Sequence, residues 1–173
     1  MNNNKRFRTQ VRTGYYLTKE YDHLERFIQY SYQVELVRKY QKKKRGRILE
    51  IGVGNKFLSS YLKKRGFNIT TCDFDSSLKP DYISDIRKLP FKRNSFDLVV
   101  AFEILEHIPY KDFEIALQSL HKVTKNYVII SVPYAVANFE IILKLPYFGK
   151  FFNKPYIDIF IKIPYFFERP RFQ

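Results

Sequence analysis

The stretch Ile48-Leu49-Glu50-Ile51-Gly52-Val53-Gly54-Asn55-Lys56 constrains this chain most, because an apolar run carrying one carboxylate leads directly into two glycines one residue apart. A strand that ends on such a turn and reopens as a helix is the entry to a βα unit. Gly52 lets the chain turn tightly, and Gly54 omits a side chain where a ligand can approach the backbone. Free N–H groups at the start of the following helix attract an anion.

The alternation continues downstream. Residues 57–65 read as helix and stop at Gly66; residues 68–72 are β-branched and strand-like; residues 82–83 suggest a short strand. Residues 96–102 form an apolar strand interrupted only by Asp97, residues 112–123 a helix with Phe113, Ala116, Leu117 and Leu120 on one side, and residues 127–132 a further strand. Strands that alternate with helices build a parallel sheet, and an unbroken run such as Leu98-Val99-Val100-Ala101-Phe102 suits a strand covered on both faces. The expected fold is therefore α/β: a doubly wound, Rossmann-like, mostly parallel sheet. Upstream, Leu24, Phe27, Ile28, Val34 and Val37 recur at helical spacing, predicting an amphipathic helix over residues 20–40. The run Lys42-Lys43-Lys44-Arg45-Gly46 reads as its end, the cations complementing the helix dipole and Gly46 taking a left-handed cap; a phosphate-binding patch is the alternative.

A length of 173 residues fits a single domain overall, with three sections: a basic arm and helix (1–46), an α/β core (47–133) and an aromatic, Pro-rich cover (134–173). The net charge of +14 invites a nucleic-acid or anionic-membrane partner. Thirteen of the 31 Lys+Arg lie within residues 1–47, while the core is nearly neutral, so the excess reads as an accessory feature of the N-terminal section. A single cysteine, Cys72, excludes an internal disulfide and a cysteine-rich zinc site, and no spacing suits another metal. With no leader-like apolar stretch at the start and no apolar run of the roughly 18 residues that span a bilayer, the expected location is cytoplasmic, at most peripheral to a membrane.

Twenty-three residues after Glu50, at the end of the second predicted strand, stands Asp73. An acid there in a doubly wound fold reaches the two hydroxyls of a ribose. Ser84-Asp85-Ile86-Arg87-Lys88-Leu89-Pro90-Phe91 follows, then Phe96-Asp97-Leu98-Val99 and Glu103-Ile104-Leu105-Glu106-His107. In this ordered set, over residues 47–133, the sequence resembles the class I S-adenosylmethionine-dependent methyltransferases, in particular the small-molecule type with a Glu-x-Leu-Glu-His signature. The resemblance implies S-adenosylmethionine as cofactor. It places Glu50, Gly52 and Gly54 against the methionine part, Asp73 on the ribose, Phe74 beside the adenine, and Asp85 on the adenine amino group with the Ile86 backbone nearby.

Two departures from the family pattern stand out. Lys56 occupies the position of the third loop glycine, where it is either accommodated in packing or meets the cofactor carboxylate. The family's antiparallel strand pair would have to come from residues 134–173, where twelve aromatics and Pro-Tyr steps at Pro146, Pro155 and Pro164 predict irregular structure. A shortened C-terminal strand pair, a piece of a longer chain and a lost activity are the readings this leaves open.

Methyl transfer needs alignment and water exclusion more than a nucleophile. A hydroxyl acceptor needs a base, for which His107 is the first candidate and Glu103 the second. The Asp/Asn-Pro-Pro-Tyr element of nucleic-acid amino methylases is replaced by Ala101-Phe102-Glu103-Ile104, which favours a small or lipid-like acceptor. Phe148, Phe151, Phe152, Phe160, Phe166 and Phe167, interspersed with lysines, suit an apolar pocket wall, a membrane-surface contact or a core cover. A catalytically silent cofactor-binding relative, and a nucleic-acid-binding or RNA-modifying protein using the basic N-terminal section, are the alternatives.

Overall fold

Strand alternation sorts the core into two layers. In β1 (Arg47–Ile51) and β4 (Phe96–Phe102), Leu49, Ile51, Val99 and Ala101 face one way and pack with Ala116, Leu120 and Val123 of helix α3 (Phe113–Val123). Ile48, Leu98 and Val100 face the other way, onto Val37 of α1 (Leu24–Tyr40) and Leu58 and Leu62 of α2 (Phe57–Lys64). The computed structural model describes residues 13–133, 138–144 and 156–162. Its remaining strands are β2 (Asn68–Asp73), β3 (Tyr82–Ile83), β5 (Thr124–Ser131), β6 (Asn138–Lys144) and β7 (Tyr156–Lys162).

Five strands form one sheet in the order β3-β2-β1-β4-β5, every pairing parallel. The doubly wound expectation holds, with α1 and α2 on one face and α3 on the other. Because β1 lies between β2 and β4, chain order reverses beside it, and the carboxyl ends of these strands outline a crevice of the kind that takes ligands in open α/β sheets. The chain divides into two compact units, Met1–Val132 and Pro133–Gln173.

Within the second unit β6 and β7 pair antiparallel over seven residues each, from Asn138↔Lys162 to Lys144↔Tyr156. This corrects the expectation of irregular structure there. Ile141, Ile142, Ile157, Ile159 and Ile161 supply β-branched strand formers, and Pro146 and Pro155 fall outside both strands, where they interrupt no ladder. The basic residues before position 13 and Phe148, Phe151, Phe152, Phe166 and Phe167 lie outside the described residues, as does the side chain of Phe160.

Helix α1 departs from its predicted apolar face. It begins at Leu24, and Leu24 and Phe27 are exposed (76% and 48%) while Tyr30 and Val37 are buried. Its terminus differs too. Gln41, not Gly46, caps the helix through its N–H to the Val37 carbonyl, and the Gln41 side-chain amide turns back onto the Lys43 carbonyl (2.6 Å). Gly46 is not left-handed, and a Cβ there would meet only that flexible amide, 1.9 Å away, so the expected left-handed cap is not formed.

Leu98 is fully buried between the strands and α2, so Leu98→Ala is expected to lower unfolding free energy by about 2–5 kcal/mol in denaturant titrations. Leu24→Ser, on the exposed turn of α1, should change it by no more than about 0.5 kcal/mol.

Candidate functional site

The carboxyl ends of β1 and β2 are joined by one side chain. Asp73, last residue of β2 and almost fully buried, accepts the Val53 N–H on Oδ2 (2.8 Å) and the Asp75 N–H on Oδ1 (2.9 Å). Gly52 adds an N–H bond to the Cys72 carbonyl (2.9 Å), continuing the ladder past the end of β1. Burial pushes the Asp73 carboxyl up, and the backbone N–H groups pull it down without cancelling the effect. Asp73 and the glycine turn therefore stand side by side across neighbouring parallel strands.

Gly52 and Gly54 both have left-handed backbones (φ +79° and +46°), which an L side chain rarely adopts. At Gly52 a Cβ would lie 2.0 Å from Cδ1 of Ile104, so the omitted side chain makes room for the segment that follows β4. Lys56 is also left-handed (φ +62°), which explains a glycine preference at this position. Its ammonium bonds the Lys79 carbonyl and ties the loop to the turn after β2.

Glu50 sits on β1, one residue inside the turn, on the face covered by α2, and is 5% exposed. Its Oε2 is buried with no hydrogen-bond partner. Burial pushes its carboxyl up to about 8, opposed by Ser59 and the Lys63 charge and reinforced by Asp73. Burial thus keeps this carboxyl protonated at neutral pH, and a cation placed beside it would favour its ionised form.

Residues that sequence reasoning did not single out cover the same turn. The hydroxyl of Tyr21 and the ring of Tyr16 lie 3.4 and 3.7 Å from where a Gly54 Cβ would stand. The two rings meet edge to face at 5.1 Å, and the Arg26 guanidinium lies 4.7 Å from the Tyr21 centroid. Tyr30 stacks on Phe57 at 4.2 Å, and its hydroxyl lies against the side chains of Tyr21 and Asn55. Asn55 anchors the cover by donating to Asp22 Oδ1 (3.1 Å). No spacing signals these contacts, because residues 16–30 and 54–57 meet only in three dimensions.

The remaining candidates are placed as follows. Phe74 and Ile83 are exposed at the rim (50% and 63%), Ile83 being the register partner of Asp73. Asp85 caps the turn Ile86–Lys88 by accepting the Arg87 N–H (2.9 Å), and the Arg87 guanidinium grips its carboxylate while also reaching Asp112 (2.6 Å). Burial works to raise the Asp85 carboxyl, but the Arg87 bonds hold it below the usual range. Ile86 is buried in the core, so only its backbone faces a ligand question. Asp97 accepts the Arg47 N–H (2.7 Å) at the opposite end of the sheet, a structural role.

After β4 the chain turns through Glu103, whose left-handed φ of +55° costs about 1–3 kcal/mol for such a residue. Its N–H bonds the Ser131 carbonyl (3.1 Å) and its Oε1 accepts the Ser131 hydroxyl (2.7 Å), fixing the side chain against β5. His107 closes the short turn Leu105–His107, half-exposed, with Nε2 4.0 Å from Glu106 Oε1. Burial, with the nearby Glu103 charge, raises the Glu106 carboxyl. The structure thus pairs Glu103 with Ser131 and His107 with Glu106. Among the described residues no group of acid, His or Cys side chains could hold a metal ion, and no helix is long and apolar enough to cross a membrane.

Comparison with known proteins accords with this geometry. Residues 49–132 match the family model of a methyltransferase domain. An uncharacterized protein of Methanocaldococcus jannaschii, MJ0638, is 31% identical over 129 residues, covering 69% of this chain and 54% of its own length. In fold, the chain is similar to the PH0226 protein of Pyrococcus horikoshii, with a TM-score of 0.59, 21% identity, and coverage of 69% of this chain and 65% of that one. It is also similar to SAM-bound CalS10, an amino pentose methyltransferase of Micromonospora echinaspora (TM-score 0.53, 10% identity, covering 68% and 57%). The chain spans about half the length of the M. jannaschii relative.

Two substitutions test this geometry. Glu50 holds its proton more tightly folded than unfolded, so its contribution to stability is full below its ordinary value of 4.5 and is lost as pH rises through about 8. Glu50→Gln should therefore melt higher than the ligand-free parent at pH 9 and alike at pH 4 in calorimetric scans. Asp73→Ala leaves two backbone N–H groups without their acceptor and should cost about 1–3 kcal/mol of stability in denaturant titrations.

Proposed function

We propose that the chain, whose residues 49–132 match a methyltransferase domain, is a class I S-adenosylmethionine-dependent methyltransferase that binds S-adenosylmethionine and transfers its methyl group to a small or lipid-like acceptor. The observation that carries the reading is the buried Glu50 carboxylate with an unpartnered oxygen, beside a glycine turn stapled to Asp73. The cofactor's amino-acid end carries an ammonium, a cation that would favour the ionised form of Glu50, so the residues present fit the group. When bound, the cofactor supplies a methyl on a sulfonium with a neutral leaving group.

Each part of the crevice has a task in this reading. Glu50 receives the ammonium, and its carboxyl becomes ionised near neutral pH once that charge is beside it. Asp73 holds the turn in shape and presents its remaining lone pairs at the ribose position. Phe74 and Ile83 offer apolar surface to a flat heterocycle. Tyr16 and Tyr21 cover the turn and keep water from it. At the β4 exit, His107 takes the acceptor's proton, with the Glu106 carboxyl 4.0 Å from its Nε2 as the partner for the imidazolium. Glu103, immobilised by Ser131, orients the acceptor. The segment after β4 lacks the Asp/Asn-Pro-Pro-Tyr element, which supports a small or lipid-like acceptor over a flipped base.

Calorimetric titration with S-adenosylmethionine tests the reading. Saturable binding is expected, weakened at least about tenfold in Glu50→Gln because a neutral amide cannot pair the ammonium. A parent protein that shows no binding at millimolar ligand would leave only the scaffold.

A further inference from the structure

We propose that the amino-terminal end of the parallel sheet is a docking face for single-stranded nucleic acid, separate from the end that carries the candidate methyl-transfer site. In sequence the core section is nearly neutral. That near-neutrality conceals a separation of charge across the sheet. Carboxylates such as Asp73, Asp85, Glu103 and Glu106 follow the carboxyl ends of the strands, whereas cations crowd the turns that precede them.

Four turns make up this face: residues 41–47, 63–68, 92–97 and 121–126. Together they hold twelve Lys and Arg against one carboxylate, Asp97, and Asp81 from outside these turns pairs with Lys63 (3.4 Å). Hydrogen bonds and an ion pair join them edge to edge. The Asn68 N–H bonds the Lys44 carbonyl (3.3 Å), the Asn94 N–H bonds the Lys122 carbonyl (3.0 Å), and Asp97 accepts the Arg47 N–H while lying 3.8 Å from the Lys125 ammonium. Every one of the twelve cations is exposed. Some complement helix carboxyl ends, as Lys63, Lys64 and Lys122 do; the run 42–45 lies just beyond α1, whose last turn already holds Arg38 and Lys39, and the pair 92–93 follows no α-helix.

The chemistry favours a polyphosphate with accessible bases over a lipid surface. The apolar residues of these turns point inward: Phe96 and Val123 are buried and Phe67 packs on the core, leaving no wedge to enter a bilayer. Beside the cations, Tyr40 and Tyr127 are both exposed, with ring centroids 5.1 Å apart and the Lys39 ammonium 5.5 Å from the Tyr40 centroid. Aromatic faces beside a basic surface are what unpaired bases stack on. Because β1 is five residues long, the face lies about 17 Å from the glycine turn at roughly 3.3 Å per residue, so the contact docks a strand and does not present it for methylation. The inference stands apart from the methyl-transfer reading.

Fluorescence anisotropy with a labelled oligouridylate and the full chain tests it through two variants of equal charge. The first takes one cation from each turn (Lys43→Gln, Arg65→Gln, Arg93→Gln, Lys122→Gln); the second takes four around the carboxyl end (Lys19→Gln, Lys79→Gln, Lys88→Gln, Lys111→Gln). The first should lose at least about tenfold in affinity and about 3 from the slope of log affinity against log salt, at about 0.7 per phosphate contact, while the second stays close to the parent. Tyr40→Ala with Tyr127→Ala should weaken binding roughly fivefold or more with the slope unchanged. Equal losses in the two charge variants, no oligonucleotide binding at low salt, or tighter binding to phosphatidylglycerol vesicles than to the oligonucleotide would overturn the proposal.

Discussion

The bond from the Val53 N–H to the Asp73 carboxylate holds the candidate site together. Parallel strands are linked by their ladder only as far as both chains remain extended, and the glycine turn leaves β1 at the point where that ladder stops. Asp73 extends the link by one side chain, fixing the first peptide beyond Gly52 against the end of β2. It also binds the Asp75 N–H, so one carboxylate shapes both walls of the crevice. A carboxyl buried for this work is raised by desolvation, and a second carboxyl, Glu50, is raised further close by. Burial therefore favours the protonated form of both carboxyls, and a cation brought beside them would favour the ionised form.

Several left-handed residues cluster at the same end of the sheet. Gly52, Gly54, Lys56 and Glu103 all adopt left-handed conformations around the turns after β1 and β4. Lys56 is held there by its bond to the Lys79 carbonyl, and Glu103 by its two bonds to Ser131. The opposite end has left-handed turn residues too, at Gly66 and Asn94, and differs in being cationic. A parallel sheet makes this division natural, because every strand starts at one end and finishes at the other, so turn residues of one kind gather together.

Much of the fold was legible because each strand of the first unit carries a signal within its own few residues. The buried runs at residues 48–51 and 98–101 imply cover on both sides, and α3 buries three residues, Ala116, Leu120 and Val123, at helical spacing. Helix α1 was less legible. Its apolar residues lie on more than one face, and the sheet selects Tyr30 and Val37 while leaving Leu24 exposed. The C-terminal pair was obscured by prolines that flank strands rather than interrupt them. At the site, Asp85 shows the same limit. Its position suggests a ligand contact, but Arg87, two residues on, grips it while also bonding Asp112 just before α3, which makes a structural clamp.

By itself the sequence determined the strand–glycine–helix entry, the alternation of elements, and the acids at strand ends, because those features depend on residues adjacent in the chain. Only the tertiary structure decided what each polar group meets. It left a Glu50 oxygen unpartnered, placed Tyr16 and Tyr21 over Gly54, and gathered four separate basic turns onto one end of the sheet. The physical reason is that burial, pairing and charge density are set by neighbours in space, and here those neighbours are dozens of residues apart in the chain.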